Sequence, residues 1–329
     1  AVMLSRTFTG RDLVLKVGGG WHGSQPWGLK GVHFGHEGFQ EMETEGLPAA
    51  FGREVLVTRY NDVAALEAAF QQHGERIACF IVEPYIGAGG GIPAQAAYLR
   101  RARELTQQHG ALLIFDEVIA GFRFCAHNLG SLYSLKPDLM TMGKVIGGGM
   151  PVAAVAGRGD VLALAGKAGG RKVRFDGGTY SAHPLSMLAG LTMLRHLTAR
   201  EGEIYPRLGA LGEKWRAGAT QAFADEGVLA RCTGGPNEVM PYGSSMGLLH
   251  FLLRPDVPMH SPDAVNDPAC CDVEMRERVV KLAFLLEGVF VADGGGAVSM
   301  AHTDDDVQRM IAAARAVARR LAAAGFAQA

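Results

Sequence analysis

Leu112-Leu113-Ile114-Phe115-Asp116-Glu117-Val118 is an apolar run that ends on two carboxylates, and further along Lys144-Val145-Ile146 leads into Gly147-Gly148-Gly149. A short, wholly apolar run bounded by turn formers reads as a strand buried on both faces, as a parallel sheet requires. The reading places that strand over 111–115, with Asp116 at its tip. Ile77 to Val82 is a second such run, ending at Glu83-Pro84, and shorter strands are predicted over 13–17, 54–58 and 152–156. Helical patterns lie between them. Asn61 is expected to cap a helix over 62–73 that stops at Gly74; another runs from about Gln95 to His109 and closes at Gly110; a third covers 184–197. Strands alternating with helices predict an α/β fold, with a mostly parallel sheet flanked by helices. From about Arg200 charged residues and helix formers increase. The chain therefore divides into a large domain over 1–198 and a smaller C-terminal α+β domain over 199–329. A closing helix is expected after Thr303 as N-cap, with Asp304, Asp305 and Asp306 in its first turn.

Composition narrows the classes of function. The 329 residues are 48% hydrophobic and 20% charged, with a net charge of −1, so no basic field points to nucleic acid or an anionic membrane. No apolar stretch reaches the length of a membrane span, and Ala1-Val2-Met3-Leu4-Ser5-Arg6 lacks the core of a signal peptide. A cytoplasmic protein is expected. The five cysteines (79, 125, 232, 270, 271) form no disulfide framework. Cys270-Cys271 has no second ligand pair at metal spacing, so no metal is expected.

Gly18-Gly19-Gly20-Trp21-His22-Gly23 satisfies the G-x-G-x-x-G dinucleotide pattern after a strand, and Glu37, Glu41 and Glu43 follow at a suitable distance. That pattern works only where its glycines open a helix. Pro26 and Gly28 prevent one, so the dinucleotide reading is set aside. The carboxylate–lysine pair fits pyridoxal 5'-phosphate better. An acid at a buried strand end holds the pyridine nitrogen protonated, and a lysine on a tight loop forms the Schiff base. The plainer alternatives are that Asp116 caps a helix and Lys144 is a surface lysine at a turn.

With these segments in order the chain resembles the class III, fold-type I pyridoxal phosphate aminotransferases, and within them glutamate-1-semialdehyde aminomutase and its transaminase relatives. The resemblance rests on Gly20-Trp21-His22-Gly23, Val82-Glu83-Pro84, Phe115-Asp116-Glu117-Val118, Gly121-Phe122-Arg123, Pro137-Asp138-Leu139, Gly143-Lys144 through Met150-Pro151, Gly178-Thr179-Tyr180-Ser181 and Ala301-His302-Thr303. It implies that Lys144 is the Schiff-base lysine and proton shuttle, and that Asp116 pairs with the ring nitrogen. A lysine buried among glycines and apolar groups would have its charged form disfavoured. Val118 would press on one ring face and Trp21 would stack on the other. His22 would be either a donor to the site or a satisfied polar group, and Glu83 a supporting residue. Thr179 would reach the phosphate of a neighbouring subunit, in an obligate homodimer with a shared active site, or else form a local turn.

Two departures refine the expected function. The family's Ser-Gly-Thr-Glu-Ala-like phosphate turn is absent, and the chain opens in what reads as the interior of the helix that normally follows it. Either this is a piece of a longer protein, or a 329-residue product would have a weakened phosphate site. Aminomutases resemble one another in a glutamate shortly before Ala-His-Thr. Here that stretch reads Ala292-Asp293-Gly294-Gly295-Gly296-Ala297-Val298, which favours intermolecular amino transfer between an amino acid or amine and a keto acid or aldehyde. Intramolecular aminomutase chemistry is the first alternative, and a non-catalytic remnant acting as a binding protein is the second. The substrate is not legible. Arg123 reads equally as a structural or a substrate-binding residue, and Arg171, Lys172 and Arg174, ahead of the Thr179 turn, equally as a basic cluster for a substrate or as a solvated loop.

Overall fold

The computed structural model describes residues 1–165, 173–174, 178–292 and 294–326. They form two compact units: residues 1–89 with 93–199, and residues 90–92 with the segment from Arg200 onward.

The first unit is built on a six-stranded sheet. Its strands are β1 (Leu13–Val17), β2 (Val55–Thr58), β3 (Ile77–Val82), β4 (Leu112–Glu117), β5 (Leu139–Met142) and β6 (Ala154–Gly157), in the order β2-β1-β3-β4-β5-β6. All neighbours are parallel except β5 and β6. The helices α1 (Val2–Thr9), α2 (Val63–His73), α3 (Ala96–Gln108) and α4 (Pro184–Ala199) belong to the same unit. Every residue of β1, β3 and β4 is buried, which accounts for the wholly apolar β3 and for the apolar character of the other two outside Lys16 in β1 and Asp116-Glu117 at the end of β4. The chain order reverses direction between β1 and β3, and such a switch point leaves a crevice at the C-terminal strand ends.

Local predictions differ from the structure in several places, and β5 (Leu139–Met142) is a strand not among those predicted. Asp62 caps α2, accepting from the Ala65 amide at 2.9 Å, while Asn61 sits one residue earlier with φ 60° and uses its side chain on Gln95 and Pro93. The strand predicted to stop at Phe115 continues through Glu117, because Asp116 and Glu117 still pair with Thr141 and Met142 of β5. The predicted 152–156 strand forms over Ala154–Gly157.

The second unit holds a three-stranded antiparallel sheet of β7 (Ala230–Cys232), β8 (Met246–Phe251) and β9 (Gly295–Ala297), in the order β9-β8-β7. The helices α5 (Glu201–Ala224) and α6 (Asp304–Leu321) share one apolar core, in which Trp215, Phe223, Phe251, Phe284 and Val317 are buried. Thr303 caps α6 through a reciprocal box with Asp306. Cys270 and Cys271 are free thiols packed with Leu252 and Val257 in a small satellite core. No helix among the described residues is long and apolar enough to cross a membrane.

Ile114 is fully buried at the middle of β4, in the core that joins Leu4, Cys79, Ile81 and Leu139. Ile114→Ala is expected to cost about 2–5 kcal/mol, read as a lowered urea midpoint with an unchanged slope.

Candidate active site

A cavity of about 540 Å³ opens at the C-terminal ends of β1, β3, β4 and β5, and Trp21, His22, Glu83, Asp116, Val118 and Lys144 all line it. Six of the seven residues singled out from sequence are thus brought together within one unit. Thr179 is exposed and is not among the lining residues. Arg171, Lys172 and Asp293 lie outside the described residues.

Asp116 is the most constrained of these groups. Its Oδ1 accepts from the Val118 amide at 3.1 Å and from Thr141 Oγ1 at 2.9 Å, and its Oδ2 lies 2.8 Å from His22 Nδ1. Burial alone would raise the pKa of this carboxyl, but the bonds from His22, Val118 and Thr141 outweigh it and hold the group below its ordinary value. Burial lowers His22, against the pull of Asp116. The pair is therefore a carboxylate and a neutral imidazole, with the His22 Nδ1–H donating. No helix follows β4, since residues 118–121 form a turn, so Asp116 is not a helix cap. His22 is a direct donor to Asp116 rather than a merely satisfied polar group.

Glu83, at the end of β3, is buried. It accepts the Trp21 N–H on Oε1 at 3.0 Å and the Gly87 N–H on Oε2 at 3.1 Å. Burial and the nearby Asp116 charge push its pKa up to about 8. Glu117 points elsewhere, accepting from the Leu129 amide at 3.0 Å, and burial raises it to about 7.

Lys144 opens a 3₁₀ turn over Lys144–Gly147 and has φ 48°, a left-handed conformation uncommon outside glycine. Strain of this kind persists where the surroundings impose it, and it clusters at functional sites. The burial expected from its flanks is not found. Gly143, Ile146 and Gly147 are buried, whereas Lys144 itself is exposed at the cavity, because the turn directs its neighbours inward and the lysine outward. The glycines serve packing. A Cβ on Gly148, at φ 57°, would lie 2.8 Å from the Ala189 carbonyl oxygen of α4. One on Gly143 would sit 3.3 Å from Val118 Cγ1, so the lysine turn packs directly on the Asp116 turn.

The loop after β1 carries Trp21, 37% exposed, and His22, whose ring stacks on Trp27 at 6.0 Å. No α-helix follows the glycines; a single 3₁₀ turn over Pro26–Leu29 stands there instead, consistent with setting aside a dinucleotide fold. Two contributors escaped the sequence reading. Thr141 was detectable only through strand register, which pairs it with Asp116. Lys16 stood in plain view as a charged residue inside an apolar strand. It is completely buried, and burial lowers its pKa to about 8 although Glu83 and Glu43 oppose the shift.

This arrangement has known counterparts. Residues 1–214 match the family described as Aminotransferase class-III. The chain belongs to the class III aminotransferases. It is 38% identical over 318 residues to a glutamate-1-semialdehyde 2,1-aminomutase of Thermomicrobium roseum, covering 96% of this chain and 69% of that protein. Its fold superposes on an omega-transaminase from Sphaerobacter thermophilus with a TM-score of 0.84 at 32% identity, covering 98% of this chain and 71% of the other. It also matches a transaminase with PLP bound, at a TM-score of 0.82 and 25% identity, with 98% and 71% covered. The chain is thus an enzyme of the pyridoxal-phosphate-dependent aminotransferase family, with the α/β architecture of that group.

Glu83 yields a pH prediction with a definite sign. Folded, it holds its proton up to about 8, against an ordinary value of 4.5, so the folded chain binds more protons within that window. Its contribution to stability is complete below 4.5 and is lost as pH rises toward 8. His22 works in the opposite direction near its ordinary value of 6.5, so the readout is a difference. The urea-derived stability of the wild type minus that of Glu83→Gln is expected to fall steadily from pH 5 to pH 8.

Proposed function

We propose that the chain catalyses amino transfer between an amino acid or amine and a keto acid or aldehyde, in two half-reactions at the cavity that Lys144 and Asp116 line. The observation that supports this reading most is a carboxylate held ionised by three donors in the same cavity as a lysine in a left-handed turn. When bound, pyridoxal phosphate supplies an aldehyde for amine exchange and a ring that draws off the electron pair freed at the substrate carbon. The residues fit that group: an anionic acceptor for a ring N–H, an amine at the rim, and flat or branched side chains beside them.

In this reading Lys144 Nζ would hold the cofactor through its aldehyde carbon, and as a free amine it would move the proton at the substrate carbon. Asp116 would keep the proton on the ring nitrogen through a charge-assisted bond. His22 and Thr141 fix the direction of that carboxylate, and Glu83 fixes the backbone at Trp21. Trp21 and Val118, which line the same cavity, would flank the ring. Thr179 serves the phosphate of a second subunit in a homodimer. Residues 1–198 act as the cofactor-binding large domain and 199–329 as the small domain. A cytoplasmic setting goes with the free thiols.

A second reading, intramolecular transfer within an amino-aldehyde, is favoured by the name of the Thermomicrobium relative. Product analysis separates the two: an aminomutase converts a single substrate, whereas an aminotransferase turns over only when donor and acceptor are both present.

Added pyridoxal phosphate is expected to give a visible absorption band; borohydride, by reducing the C=N bond, is expected to bleach that band and leave the cofactor fixed to Lys144, and Lys144→Ala is expected to abolish both the band and the attachment. Asp116→Asn is expected to bind the cofactor yet lose about 100-fold in turnover, the scale of one charge-assisted bond. A Lys144→Ala variant with an unchanged band would overturn the assignment.

A further inference from the structure

Lys16 lies on β1 and is fully buried. An ammonium is costly to bury unless every N–H finds an acceptor. Lys16 Nζ finds three, all backbone carbonyls: Gly20 at 2.9 Å, Gly28 at 3.1 Å and Lys30 at 2.7 Å. These carbonyls come from the beginning, the 3₁₀ turn and the far end of a single loop, the one that carries Trp21 and His22. The Gly20 carbonyl and the Trp21 N–H belong to one peptide group. Lys16 holds that group by its oxygen and Glu83 holds it by its N–H, at 3.0 Å. A peptide group is planar, so fixing both ends sets its orientation. The next two side chains are Trp21, at the cavity, and His22, the donor to Asp116.

We propose that Lys16 is a positioning residue: its ammonium gathers three carbonyls of the 18–31 loop and thereby sets Trp21 and His22 at the cofactor site. The proposal rests on the reading of that cavity as the pyridoxal phosphate site. Lys16→Met keeps nearly the same length and removes all three donors.

The test is hydrogen exchange of the cofactor-free chain followed by mass spectrometry, together with a titration of pyridoxal phosphate by absorbance. In Lys16→Met, amides of 18–31 are expected to exchange about tenfold faster or more, while strands 77–82 and 112–117 keep their protection. The dissociation constant for pyridoxal phosphate is expected to rise about tenfold or more. Wild-type exchange in the loop with wild-type affinity would overturn the proposal. So would an equal loss of protection in the strands, which would make Lys16 a general core member. Should Lys16→Met fail to fold, Lys16→Gln, which retains two donor hydrogens, is judged by the same two criteria. A wild-type chain that does not take up pyridoxal phosphate would instead overturn the reading of the cavity, and the exchange result would still decide whether Lys16 sets the loop.

Discussion

A carboxylate buried at the end of a sheet must be surrounded by donors or it will take up a proton, and that constraint organises the first unit. Asp116 meets it with the Val118 amide, the Thr141 hydroxyl and the His22 ring. Each donor comes from a different part of the chain. The amide belongs to the turn that follows the same strand, the hydroxyl to the adjacent strand, and the imidazole to the loop after β1. The acid therefore remains ionised only if the strand register and the loop conformation are both correct.

The loop conformation is maintained by two further buried ionisable groups, Lys16 and Glu83, which bond to its backbone from opposite sides. Such groups are usually poor value for stability, since desolvation offsets most of what their bonds return. Here each of the three Lys16 bonds lies on one loop, and that loop delivers two side chains to the cavity. On the opposite side, the lysine turn packs on Val118 through Gly143 and on α4 through Gly148. The cavity is thus framed by segments that constrain one another, which suits a site that must hold an acid and an amine in fixed relation.

Much of this was legible in the sequence, for identifiable reasons. The apolar runs of β3 and β4 are doubly buried strands and cannot be mistaken for amphipathic ones. Pro26 and Gly28 exclude a helix after the glycine-rich turn. Asp116 and Lys144 stood out because a charged residue at the end of an apolar run, and another ahead of three glycines, both run against local expectation. What local reasoning missed was long-range. The role of Thr141 depends on pairing with a strand distant in sequence, and that of Lys16 on carbonyls that converge only after the loop has closed. The cap of α2 fell on Asp62 rather than Asn61 because Asn61 is engaged by Pro93 and Gln95 from elsewhere in the unit.

Residue type, spacing and local periodicity were enough for the alternation of strands and helices in the first unit other than β5, for the family, and for the two residues on which the proposed chemistry turns. That His22 donates to Asp116, that Lys144 faces open space rather than core, and that Lys16 is buried with all its donors engaged emerged once the chain had folded. Hydrogen-bond satisfaction and exposure are properties of converging segments, and no single segment carries them.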